Sequence, residues 1–218
     1  MTDIEALQQN NSRAGAPNGE PSGWFWQNPL PAGAPLQAVA PIDSQTAVAV
    51  GFEGTILRTN NGGETWTIQP SGTSNFLRGV SFVDANVGVA VGDAADGGVT
   101  WTRQSRGTTQ PLLAISLVDA QTGTAVGASG TILRTTDGGA SWTQQSSGTT
   151  AILWGVSFTD ADNGTAVGWV TLRTTDGGAT WHRQTDLAPL SAVSFVDANV
   201  GTAVGAGGAI VHTGTGGE

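Results

Sequence analysis

Glu53 and Asp93 are carboxylates that no internal pattern of this chain duplicates, and two such groups facing one another could serve as acid and base in a hydrolase. That chemistry needs both carboxyls within about 10 Å in a cleft closed to water. Trp154, Trp169, Phe52 and Arg78 offer a different chemistry: aromatic faces and a guanidinium can stack on a sugar or grip a peptide, with Glu53 and Asp93 as polar partners. The remaining reactive groups are sparse. His182 and His212 lie apart without clustered carboxylates, so neither a metal nor a cofactor is expected. The chain has no Cys and no Tyr, which removes thiol chemistry, disulfides and a tyrosine nucleophile. Its serines fall at repeated positions, so no nucleophile–base pair can be argued.

These side chains must be positioned by a repeat. The strand-like runs LQAVAPID, LRGVSFVD, LLAISLVD, LWGVSFTD and LSAVSFVD start at Leu36, Leu77, Leu112, Leu153 and Leu190, in steps of 41, 35, 41 and 37 residues. Each continues into a second strand of the type GTAVG, and usually into a third containing Ile-Leu-Arg-Thr. A Gly-Gly turn follows, and Trp66, Trp101, Trp142 and Trp181 are expected to open a fourth strand, with Gln69, Gln104, Gln145 and Gln184 three residues on. Four short strands per unit of about 40 residues predict an all-β, five-bladed β-propeller spanning 22–218.

The ends of the chain complement one another. Residues 1–21 are polar and rich in Gly and Pro, and are expected to form a disordered tail. Gly23–Asn28 (GWFWQN) matches the fourth strand, with Trp24 and Gln27 at the offset of Trp142 and Gln145, whereas the last copy stops in its turn at Glu218. The first strand is therefore expected to complete the last blade and close the ring, pairing both edges.

Composition suits such a fold: 33 of 218 residues are Gly and 11% are charged. All eight basic residues are Arg, and the net charge of −9 disfavours nucleic acid and anionic membranes as partners. No apolar run approaches the length of a membrane span and no signal peptide is read in the sequence, so a soluble protein of unspecified compartment is expected.

At the turns the sequence resembles known repeats. TTDGGASW (135–142) and TTDGGATW (174–181) look like the Asp-box of bacterial neuraminidase repeats. The longer unit, which runs from LRGVSFVDANVG-type strands into GTILRTTDGGASW, resembles the repeats of photosystem II assembly and stability factors. The neuraminidase likeness implies a tyrosine nucleophile with an arginine cluster; the assembly-factor likeness implies seven-bladed exported rings with an anion-binding arginine row. Read from the residues themselves, Arg58, Arg134 and Arg173, with His212 at the same place, recur once per blade and are expected to be structural. Asp137, Asp96 and Asp176 should accept hydrogen bonds inside their own turns, where Asn61 and Thr215 replace the acid in blades one and five. Asp43, Asp84, Asp119, Asp160 and Asp197 read as turn caps.

Two irregularities remain. Between Gly92 and Trp101 lie eight residues where blade one has fourteen, so blade two should lack its third strand, leaving an edge where a partner or a weak oligomer could dock. Position two of strand one, Gln37, Arg78, Leu113, Trp154 and Ser191, varies most, as does the loop after strand two, with Phe52-Glu53, Asp93 and Trp169. Both places should share one end of the blades, around a channel mouth. Trp154, Trp169, Phe52, Arg78, Glu53 and Asp93 are accordingly the expected ligand-binding residues of a non-catalytic binding or assembly-scaffold propeller, its partner a small molecule, glycan or protein. Two alternatives stay open: the tryptophans merely plug the channel, or Glu53 and Asp93 act as a hydrolase pair.

Overall fold

A computed structural model describes residues 33–93, 107–184 and 189–217, within the compact unit Ala32–Glu218. The tail at 1–21, the expected closing strand Gly23–Asn28, the turn at Asp96 and the strand after Trp101 lie outside the described residues. The fold is all-β and propeller-like, built from antiparallel sheets whose strands follow chain order. The first sheet holds β1 (Leu36–Pro41), β2 (Ala47–Gly51), β3 (Ile56–Thr59) and β4 (Thr67–Gln69). A pair, β5 (Leu77–Phe82) and β6 (Gly88–Gly92), comes next. Two further four-stranded sheets are β7 (Leu112–Leu117), β8 (Gly123–Gly127), β9 (Ile132–Thr135) and β10 (Thr143–Gln145), then β11 (Leu153–Phe158), β12 (Gly164–Gly168), β13 (Thr171–Thr174) and β14 (His182–Arg183). The last holds β15 (Leu190–Phe195), β16 (Gly201–Gly205) and β17 (Ile210–Thr213). Trp66, Trp142 and Trp181 each stand just before the fourth strand rather than opening it; the Trp142 and Trp181 rings leave the pairing direction to pack against the core.

The glycines bounding the second strand have steric causes. A Cβ on Gly164 would lie 2.3 Å from the Phe158 ring, and one on Gly168 would lie 2.0 Å from the Ile152 carbonyl oxygen. Glycine thus lets the aromatic ring lie on the strand at one end and the chain pass close at the other.

Apolar residues between the sheets form the core. Leu77 packs among Val48, Val50 and Ile56 of the preceding sheet, and Leu153, Val156 and Phe158 pack against Val126 and Ile132. Polar groups staple the same interfaces. The Arg58 and Arg173 Nη2 groups donate to the Ala85 and Ala198 carbonyls of the following sheet at 2.9 and 2.7 Å, and Arg134 does so to Ala161. Arg134 and Arg173 also stack over Phe158 and Phe195 and are buried. The repeated arginines are therefore architectural, as their recurrence implied. The repeated serines act likewise: Leu117, Phe158 and Phe195 N–H groups each donate at 3.1 Å to Ser81, Ser116 and Ser157 Oγ of the preceding sheet. Pro41 occupies the donor position in β1 and has no N–H to give.

Turn acids behave as their positions imply. Asp43 Oδ1 accepts from the Gln45 and Thr46 N–H groups at 2.7 Å, and Asp84, Asp119, Asp160 and Asp197 repeat the arrangement. Asp137 accepts from the Ser141 hydroxyl and N–H at 2.6 and 2.9 Å, and Asp176 from the Thr180 pair. Those bonds, led by the hydroxyl, lower the pKa of both carboxyls from 3.8 to about 2.

Candidate functional site

One end of the sheets collects the irregular residues. The first residue after each second strand donates its backbone N–H to the residue just before strand one: Phe52 to Pro35, Asp93 to Phe76, Ala128 to Pro111, Trp169 to Ile152 and Ala206 to Pro189. The start of strand one and the following loop are therefore joined at every blade. Each strand-one ladder also slips at its second residue, as between Leu77 and Gly79 or Leu153 and Gly155. Such a bulge takes that residue out of register and re-aims its side chain. Arg78 and Trp154 occupy bulge positions, which accounts for their freedom to vary in an otherwise monotonous strand.

Two clusters result. In the first, Arg78 forms a two-pronged ion pair with Asp93, Nε to Oδ1 at 2.6 Å and Nη2 to Oδ2 at 2.9 Å. Its guanidinium carbon sits 4.2 Å from the centroid of the Phe76 ring. Phe76 in turn stacks on Phe52, centroids 3.9 Å apart at 24°. The chain of contacts Asp93–Arg78–Phe76–Phe52 thus spans the first and second sheets, with the Phe52 ring 41% exposed. Phe76 was not singled out by sequence reasoning. It stands where other blades have Pro35, Pro111, Ile152 and Pro189, and that irregularity just before the strand was the available signal.

In the second cluster, Trp154 and Trp169 lie with ring centroids 5.4 Å apart at 50°. Trp169 is 57% exposed. The short connection to β13 leaves no 3-10 turn of the kind seen at Phe52–Gly54, Ala128–Gly130 and Ala206–Gly208, so Trp169 stands in its place.

Glu53 joins neither cluster. It is exposed and has φ 54°, at the loop position where Ser129 has 55° and Gly207 has 68°. The clusters sit on different sheets, with Leu113 and Ala128 at the corresponding positions of the sheet between them. Cavities lined by Gln145 and Ser147, or by Phe195 and Gly217, contain none of the six expected residues. Among the described residues no three His, Asp or Glu side chains converge to hold a metal ion, and no helix is long and apolar enough to cross a membrane. Chemically, the end offers two exposed aromatic platforms, one backed by a neutralised arginine.

Residues 94–183, less than half of the chain, match the family model described as Photosynthesis system II assembly factor YCF48. The matched repeats are thus similar to those of photosystem II assembly factors. No curated protein matches the chain. Among solved structures, one titled "YCF48 bound to D1 peptide" superposes with TM-score 0.63 at 22% identity, covering 84% of this chain and 64% of that one. YCF48 from Cyanidioschyzon merolae gives 0.68 at 21% identity, covering 88% and 71%. The WD40 propeller domain of Doa1 gives 0.66 at 14%, covering 83% and 65%. These likenesses establish a shared propeller fold, and the chain spans just under two thirds of the first structure's length.

Proposed function

We propose that this chain is a non-catalytic binding propeller of the assembly-factor kind, holding an extended protein segment against the end that carries Phe52, Arg78, Trp154 and Trp169. The carrying observation is that the side chains that escape the repeat gather at the bulge and loop positions of this one end, where Phe52 and Trp169 are exposed and Phe76 and Trp154 are half-buried beneath them. Glu53 and Asp93 act as polar partners, Asp93 by neutralising and fixing Arg78. A similar fold is titled as holding a D1 peptide, which supports a peptide above a glycan or small molecule as ligand. An acid–base pair has less support, since Glu53 is exposed and Asp93 is engaged by Arg78.

The same reading has five blades closed into a ring by Gly23–Asn28 beside β17, and an edge on the second blade where a partner or second copy can add a strand. Thermal shift against a D1 peptide, unrelated peptides and a set of oligosaccharides tests the ligand class, because a specific ligand raises Tm by mass action. Stabilisation by peptide alone is expected. Stabilisation by oligosaccharide alone would overturn the protein-segment reading.

A further inference from the structure

Arg78 and Asp93 escape the repeat together. The residues at the other four bulges, Gln37, Leu113, Trp154 and Ser191, carry no charge, and neither do Phe52, Ala128, Trp169 and Ala206 at the matching loop positions. The cation and the acid of this end thus fall in one blade, where they pair. The pairing is side-on, with Nε and one Nη2 N–H reaching the two Asp93 oxygens at 2.6 and 2.9 Å. A carboxylate from outside would find that matching edge occupied and the charge already balanced.

Three N–H groups of Arg78 remain, two on Nη1 and one on Nη2, and among the described residues none of them has an acceptor. The side chain is 31% exposed, and the Phe76 ring backs the guanidinium at 4.2 Å. The core shows twice what an arginine so backed takes. Arg173 lies over Phe195 at 5.6 Å and donates from Nη2 to the Ala198 carbonyl at 2.7 Å, and Arg134, over Phe158 at 4.8 Å, does so to Ala161. Each caps a backbone carbonyl of another segment. Arg78 has the backing and the spare donors, with no carbonyl of its own chain to cap.

We infer that Arg78 selects a neutral acceptor, the backbone carbonyl of an extended segment crossing Phe52, and that Asp93 sets this specificity by excluding anions. A carboxylate or phosphate approaching Nη1 would meet the Asp93 charge a few atoms away, which largely cancels its attraction to the guanidinium. The net charge of −9 acts in the same direction. A carbonyl bears no net charge, so it keeps the charge-assisted hydrogen bond without that repulsion. The ligand is accordingly an internal stretch of chain rather than a free carboxyl terminus or a phosphorylated segment. The inference rests on the protein-segment reading and adds which of the ligand's atoms this end accepts.

The Nε–H resonance of Arg78, assigned by its loss in Arg78→Gln and followed by NMR in the full chain at constant ionic strength, tests it. The probes are acetate, inorganic phosphate and a D1 peptide capped at both ends. In the wild type the resonance should move saturably with the capped peptide and with neither anion. Asp93→Asn keeps an acceptor for Nε but leaves the arginine unbalanced, and should bind both anions at least about 10-fold more tightly than the wild type. Wild-type anion binding equal to that of Asp93→Asn would overturn the inference, and so would a capped peptide that raises Tm without moving the Arg78 resonance. Either result leaves the protein-segment reading standing. Should Asp93→Asn not fold, the wild-type titrations decide: a response to peptide alone supports the inference, and a response to either anion overturns it. If no peptide binds, the protein-segment reading falls and this inference with it.

Discussion

The blade β11–β14 and its neighbour β15–β17 are built from nearly the same words and have opposite surfaces. Val167 in GTAVG of β12 is 1% exposed, whereas Val204 in GTAVG of β16 is 44% exposed. Thr165 is buried and Thr202 exposed. The strands, their registers and the ring over the leading glycine are alike. The difference is the neighbour: β15 and Leu190 cover β12, and no described strand covers the corresponding face of β16. In a repeat protein each unit buries its apolar face only against the next, so burial is a property of position in the array rather than of the local sequence.

The largest expected effect is at Trp181, which meets the Phe158 ring edge-on at 6.0 Å and donates its indole N–H to Gln145 Oε1 of the preceding blade at 3.2 Å. Trp181→Ala should destabilise the protein by about 3–5 kcal/mol, since it empties a packed aromatic site and leaves Gln145 Oε1 without its donor; chemical denaturation measures it. A loss under about 1 kcal/mol would mean that the indole contributes little to the interface. Next comes the matched valine pair. Val167→Ala should cost about 2 kcal/mol and Val204→Ala less than about 0.5 kcal/mol. Equal costs would show that the β16 face is covered in solution, and so would sharpen the case for a closed ring.

The smallest effect is electrostatic. Asp176 has its pKa lowered to about 2 by Thr180, first through the hydroxyl and then through the N–H, and Thr215 takes its place in the last blade. Because the folded value lies below the ordinary 3.8, this contribution is complete above about pH 4 and is lost as pH falls toward 2. Hydrogen exchange between pH 4 and 2.5 should therefore show loosening at the turns of Asp137 and Asp176 and not at Thr215. Asp176→Asn should flatten the response at its own turn. Equal loosening at Thr215 would point to a global cause.

Most of the blade was legible because the repeat states each constraint several times. Leu at the head of strand one, Gly at both ends of strand two and Trp before strand four recur in nearly every copy, and each has a local steric meaning. The arginine row could be assigned to architecture for the same reason. Two features of the candidate site were not legible in the periodic pattern. The bulge at Arg78 and Trp154 follows from how the chain passes close to the glycine ending strand two, a contact made across the hairpin. Phe76 precedes its strand, outside the pattern used for alignment, so its stacking between Phe52 and Arg78 had no periodic marker. Nor could sequence distinguish the two faces of β16, because exposure there depends on what stands beside it.

The central claim is that residues returned in every blade hold the fold while those that escape the repeat bind. The direct measurement is the affinity of a D1 peptide for the wild-type chain and for the Trp154→Ala/Trp169→Ala double variant, with Tm recorded on the same samples. Binding should weaken at least about 100-fold, the loss of two aromatic contacts, while Tm stays within about 3 °C, since Trp169 is exposed and Trp154 is half-buried at the end of the blade, outside its core cluster. Unchanged affinity at unchanged Tm would place the binding surface elsewhere, and a collapse of Tm would make the two tryptophans part of the core.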